Sequence, residues 1–384
     1  MKYGILGILI LCIWGCGKNE VNALAAATDT TRRPVYMDTP YAQEYAVKYE
    51  LSEDQKTKGV QDIISDRNGN IQILSNHALL VPENGQQFYS GTLTPDISYS
   101  PMAAKNIAAF AKYQDHTVYL DDIYVFSNAW AGKIQIAHGL ENPKLLTAGK
   151  DFHFLVYNGK QLAYLNQENQ ELKLPADTDI SQILYQETEN RFLLVSPEKI
   201  MAFIPGEPLK ELYVGSGITC AALTNEGSKI VVGTSTGYFY IGENKLVKNV
   251  PWPEITTMQE IDGSLWFGTT WGAYKLLENG SYSYYSGERW LPGNEVVGMA
   301  KGPEKSVLIL TNNGVGSIQT DFMTLEDKAM FYEKQVRKKN IRYGFNCSVS
   351  KLPNGYASAV MKDQPSDNLW TAMYLVSQLY RYKV

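Results

Sequence analysis

Four histidines, His77, His116, His138 and His153, fall in the first half of a 384-residue chain, with Tyr119, Tyr124 and Tyr157 close to them in sequence. A histidine and a tyrosine held together can take a proton from a carbon beside a carboxylate and protonate a leaving group, which is the chemistry of a lyase acting on acidic sugars. His77 and His153 are the candidates for that role if the chain is an enzyme. Spacing alone does not bring them together, and unpaired histidines scattered among strands are ordinarily structural. Asp121 and Asp122 are adjacent, so on a strand they point to opposite faces and make no hydrolase pair. The HExxH, GxSxG, Walker and dinucleotide signatures are absent, and no cysteine or histidine spacing suits a metal, so no cofactor is expected. A second set of residues fits recognition better. Trp252, Trp271 and Trp290 offer flat rings, Asn312 and Asn313 amides, Arg289 a guanidinium and His77 an imidazole. Sugars present apolar ring faces rimmed by hydroxyls, and this mixture suits them. The main expectation is therefore non-catalytic binding of an oligosaccharide or polysaccharide. A polysaccharide lyase or hydrolase, or its inactive remnant, is one alternative, and a protein-interaction scaffold is another.

The elements that must position these residues repeat. A unit opens with an apolar strand, turns at polar or glycine residues, runs a second strand, turns again and continues. The clearest copies run from Ile218, Ile255 and Val296, with others from Val60, Ile107, Leu145 and Ser181. These seven starts lie roughly forty residues apart, the length of a four-stranded blade, and seven is within the usual range of a propeller. The fold expected is all-β, a seven-bladed β-propeller over residues 45–322, with a short helical extension after it. In such a ring, turns between second and third strands share a face with the links between blades. His77, Trp271, Asn312 and Asn313 belong to those turns, and Trp252, Arg289 and Trp290 to those links.

The segment Gly268-Thr269-Thr270-Trp271-Gly272 has the look of a phosphate cradle, but a strand follows it rather than a long helix, and no lysine closes it. Related turns recur at Gly233-Thr234 and Leu310-Thr311, which makes the segment punctuation of a repeat. Residues Leu265–Tyr274 and the lead-in Leu291-Pro-Gly-Asn-Glu-Val296 resemble the two-component-regulator propeller repeat. That resemblance implies a ligand-binding sensor propeller of the kind carried by bacterial hybrid histidine kinases. Their second propeller, membrane span and kinase modules have no counterpart in this sequence, so phosphorylation signalling is not implied.

The two ends read differently. Lys2 precedes a twelve-residue apolar run, Gly4 to Gly15, too short to span a bilayer as a helix. With Ile13-Trp-Gly-Cys16 and polar residues after it, residues 1–16 resemble a bacterial lipoprotein signal with Cys16 as the lipidation site. This implies a membrane-anchored protein of the cell envelope, at the outer membrane, with residues 17–44 as a tether. Glu44–Leu51 alternates like a strand and is expected to complete the last blade, which otherwise has only three strands. From Thr324 a capping pattern opens a helix, and a second follows from Leu369, making 323–384 a helical extension or the start of a truncated α/α toroid. The formal charge of -5 argues against a nucleic-acid partner. Cys220 and Cys347 are too distant in sequence to suggest a disulfide framework.

Overall fold

The structure is a computed structural model that describes residues 37–87, 89–97, 105–168, 172–175, 179–243, 245–350, 360–362 and 365–383. Cys16 and tether residues 17–36 lie outside the described residues. The chain divides into two compact units, Ala42–Asp321 and a second made of Met1–Tyr41 with Phe322–Val384.

The first unit is a β-propeller of seven blades. Their first strands are Asp62–Ser65, Ala109–Tyr113, Leu145–Ala148, Gln182–Gln186, Ile218–Thr224, Ile255–Ile261 and Val296–Lys301. Each expected unit start falls within two residues of one of them. Within a blade, successive strands pair antiparallel, as in the sixth, where Ile255–Ile261, Ser264–Thr269, Gly272–Leu276 and Tyr282–Tyr285 follow one another across the sheet. The fifth blade departs from this plan. It has three strands, ending at Gly237–Tyr240, and a single bridge from Tyr238 to Val247 stands where a fourth would be.

Apolar residues point from both faces of each sheet into its neighbours, so the core lies between blades. Between the third and fourth blades Tyr157, Leu162, Ile183, Phe192 and Phe203 are buried together. Between the fifth and sixth, Cys220, Tyr238, Met258, Phe267 and Tyr274 do the same, with the Phe267 and Tyr274 rings stacked at 4.6 Å. Broad aromatic rings fill the wedge between twisted sheets better than aliphatic chains would. This accounts for the tyrosine-rich composition.

The ring closes through the N-terminal strand. Tyr41–Glu50 lies beside Gly314–Met323 as the outer strand of the seventh blade, as its alternating sequence leads one to expect. It begins three residues before the expected Glu44, so the end of the proposed tether is strand. On its other edge Tyr49 and Glu50 pair in parallel with Gly91 and Thr92 of the first blade. First and last blades thereby become one eight-stranded sheet, which leaves no open edge at the seam. The Glu44 carboxylate fastens this strand to the sixth blade, accepting from Lys275 Nζ at 3.1 Å and from the Tyr285 hydroxyl at 2.8 Å.

A short helix, α1 (Glu53–Lys58), links this strand to the first blade; Ser52 caps it, and Gln55 completes a capping box. The second unit holds α2 (Leu325–Lys339) and α3 (Asp367–Lys383). The Thr324 side chain accepts from the Asp327 amide, and the Asp327 side chain accepts from the Thr324 amide in return. The helix thus starts where the capping pattern places it. Among the described residues no helix is long and apolar enough to cross a membrane.

Candidate functional site

The local geometry comes from one turn used three times. Thr234, Thr269 and Thr311 each end a second strand, and each hydroxyl donates to the carbonyl of the glycine three residues on, at 2.8, 2.7 and 2.9 Å. The same hydroxyls accept from the amides of Thr236, Trp271 and Asn313. The glycines cannot carry a side chain. Gly272 has a φ of 93°, and a methyl group there would meet the Tyr285 carbonyl oxygen at 2.6 Å. The segment around Trp271 is therefore a strand-to-strand turn.

This turn lifts Trp271 into solvent, where it is 50% exposed. Its position is nevertheless fixed. The Trp252 ring lies 6.2 Å away at 34°, and its Nε1 donates to the Thr270 hydroxyl at 2.8 Å, which donates to the Glu254 carboxylate. The Tyr284 hydroxyl donates to the Trp271 carbonyl. Beside it, a cavity of about 480 Å³ spans the sixth and seventh blades, lined by Trp271, Glu288, Asn294, Glu295, Asn312 and Asn313. Asn313 is held by its side-chain amide, which donates to the Pro292 carbonyl at 3.4 Å, while Asn312 is exposed. The pocket thus offers one indole face, several amides and two carboxylates.

Of the residues expected to bind, the structure gathers Trp271, Asn312 and Asn313 into this pocket, with Trp252 as the buttress behind. Trp290 turns inward instead, its ring edge on buried Tyr285 at 5.1 Å, and Arg289 lies 4.8 Å over the Trp290 ring. His77 belongs elsewhere: its Nδ1 lies 3.2 Å from the Ile107 carbonyl, tying the first blade's turn to the link into the second. Glu254, Glu288, Asn294 and Glu295 were not singled out from sequence, although the last two sit in the quoted lead-in to the seventh blade.

The two histidines of the catalytic alternative lie apart. His77 occupies a turn between second and third strands, and His153 one between first and second strands, so they lie at opposite ends of their sheets. The two histidines therefore do not meet each other; of the tyrosines, Tyr164 of the same blade has its ring 5.3 Å from that of His153. The remaining histidines have structural bonds. His138 is fully buried, with Nε2 on the Asp121 carbonyl and Nδ1 accepting from the Leu140 amide. His116 accepts from Trp130 Nε1 at 3.1 Å, and burial followed by nearby Arg67 pushes its pKa down. Asp121 lies in the turn between the second and third strands of its blade, its side chain accepting from the amides of Ile123 and Tyr124.

A second cavity, of about 600 Å³, runs through the middle of the ring and touches the first strand of every blade. Asp62 stands in it with Oδ1 accepting from the Ile63 amide at 2.8 Å. Its side chain is open to the channel, yet protein packs around it, and burial raises its carboxyl to about 6 against the pull of that hydrogen bond. Among the described residues no group of histidines, cysteines and carboxylates could hold a metal ion.

No protein-family model matches the chain, and no curated protein does. Solved structures do match. The extracellular domain assigned to the hybrid two-component system BT4673 of B. thetaiotaomicron is 13% identical, with a TM-score of 0.55 over 72% of this chain and 39% of that one. The corresponding domain of BT3049 from the same organism is 12% identical, with a TM-score of 0.53 over 81% of this chain and 46% of that one. Virginiamycin B lyase from Staphylococcus aureus is 12% identical, with a TM-score of 0.52 over 73% of this chain and 99% of that enzyme. The chain spans less than half the length of these two extracellular domains. At such identities the shared property is the architecture, and the chain is a seven-bladed β-propeller with a helical extension.

Proposed function

We propose that this propeller is a ligand-binding module of a bacterial envelope protein, anchored by lipid on Cys16 at the outer membrane, and that it recognises a glycan without chemistry. The observation that carries the reading is the Trp271 ring, half exposed yet backed by Trp252, on a turn whose carbonyl accepts from Tyr284, beside a cavity edged with amides and carboxylates. A preordered aromatic face loses little entropy when a sugar ring stacks on it, and the polar rim can meet the hydroxyls. Two of the similar folds are extracellular domains assigned to hybrid two-component systems, which supports ligand binding outside the cytoplasm.

The test is a panel of oligosaccharides screened against the purified protein, with product analysis, followed by calorimetry on Trp271→Ala. Losing the stacked ring forfeits its buried area and about 0.5–1.5 kcal/mol of aromatic geometry, so affinity should fall by about tenfold or more. The melting temperature should hardly move, because an exposed turn side chain fills no core. Unchanged affinity in the variant, or unsaturated sugar products from the wild type, would overturn the reading.

A further inference from the structure

Helix α3 packs with its polar side inward. Asp367, Thr371, Tyr374 and Gln378, at helical spacing, are its partly covered residues. Tyr374 and Gln378 donate to the Glu333 carboxylate of α2 at 2.9 and 2.8 Å, and Thr371 accepts from the Asn346 amide. The opposite side carries Leu369, Trp370, Met373, Val376 and Tyr380, with Trp370 at 52% and Tyr380 at 71% exposure. A helix that spends its polar residues on its neighbour and turns an apolar, aromatic face outward is made to meet another apolar phase.

Three further observations point to which phase. The segment from Phe322 to Val384 contains ten lysines and arginines against five acids, a net charge of +5 in a chain whose total is -5. Lys334, Arg337, Lys338 and Arg381 line a groove of about 800 Å³ with Met330, Phe331, Asp327 and Glu333, four cations against two carboxylates, with Glu333 paired to Arg337 and Arg381, and Arg381 continues it onto α3 between Tyr380 and Tyr382. Finally, the Asp38 carboxylate accepts from the amides of Leu325 and Glu326 at 2.9 and 2.8 Å, so the chain leading back toward Cys16 is fixed at the start of α2. Tryptophan and tyrosine with lysine and arginine around an apolar stripe are the composition of a helix lying in a membrane interface.

We propose that the exposed face of α3 lies on an anionic bilayer surface, with the basic groove of α2 against lipid phosphates, as a second contact beside the lipid on Cys16. This rests on the anchored reading of Cys16 for its geometry.

The full-length protein is reconstituted with phosphatidylcholine–phosphatidylglycerol vesicles whose acyl chains are either plain or brominated, and tryptophan emission is compared. Wild type should be quenched by the brominated lipid, and Trp370→Tyr should lose that quenching while keeping its circular dichroism. Met373→Glu with Val376→Glu should abolish quenching while leaving Trp370 in place. Equal emission on plain and brominated vesicles overturns the proposal. So does a wild-type dimer that Val376→Glu dissolves, which would show a second copy covering the stripe. Mass spectrometry of Cys16 keeps the two ideas apart: an unlipidated cysteine refutes the anchor, and the quenching of that same protein by added vesicles still decides the role of α3.

Discussion

Two glycines present the same local problem with different structures behind them. A methyl group at Gly314 would sit 2.0 Å from the Tyr49 carbonyl oxygen, at a φ of 144°; at Gly237 it would sit 2.1 Å from that of Val247, at 134°. Either alanine variant incurs backbone strain of about 1–3 kcal/mol and must push the facing backbone aside. Behind Gly237 there is one bridge, the pair of hydrogen bonds between Tyr238 and Val247, together worth about 2 kcal/mol. Behind Gly314 stands the strand that joins the seventh blade to the first. Displacing it uncovers Val47 and Leu51, at about 1.5–3 kcal/mol each, and parts Glu44 from Lys275 and Tyr285. The sums are about 3–5 kcal/mol for Gly237→Ala and, before the Glu44 bonds are counted, about 4–9 kcal/mol for Gly314→Ala, the latter near the whole stability of an ordinary domain. Thermal and urea unfolding followed by circular dichroism should show Gly314→Ala losing about twice as much as Gly237→Ala, or failing to fold. Equal losses would refute the idea that the N-terminal strand holds the ring shut.

Trp266 is buried at 3% exposure and stacks on Tyr285 at 5.1 Å, so Trp266→Ala should cost about 3–5 kcal/mol in urea unfolding, in contrast to Trp271→Ala; a loss below about 1 kcal/mol would contradict that packing. For Asp62 the folded state favours the protonated carboxyl, so the folded protein holds the extra proton between the ordinary value of 3.8 and about 6. Stability should therefore decline as pH rises through that window, and Asp62→Asn should remove the decline. A difference in melting temperature between the two proteins that stays constant from about pH 4 to about pH 7 would exclude the effect.

The ring was legible because each inner strand is a short apolar run between polar turns, and the pattern recurs at a nearly constant interval. Outer strands were less so: Lys210–Val214 is largely exposed and carries no apolar stripe to mark it. The missing fourth strand of the fifth blade left no signal, since the segment after Tyr240 is as polar as a true outer strand. At the site, the turn grammar placed Trp271, Asn312 and Asn313 on one face without any knowledge of contacts. It could not separate Trp252, which supports the pocket, from Trp290, which fills the core, because links between blades have no periodicity. The Glu44 bonds to Lys275 and Tyr285 join residues more than 200 positions apart, and nothing in either neighbourhood announces the other.

The threonine turns of the fifth, sixth and seventh blades separate structure from identity. The bonds that close each turn run through the threonine hydroxyl and backbone atoms, whereas the tip side chains of Thr236, Thr270 and Asn313 bond to Thr234, to Trp252 and Glu254, and to the Pro292 carbonyl. The closing bonds of the turn therefore do not dictate which residues occupy its tip, even where a tip side chain has bonded to its surroundings. The propeller can be regarded as a rack of interchangeable dipeptides, on which a lineage, or a designer, could rewrite what is bound by exchanging tips two residues at a time.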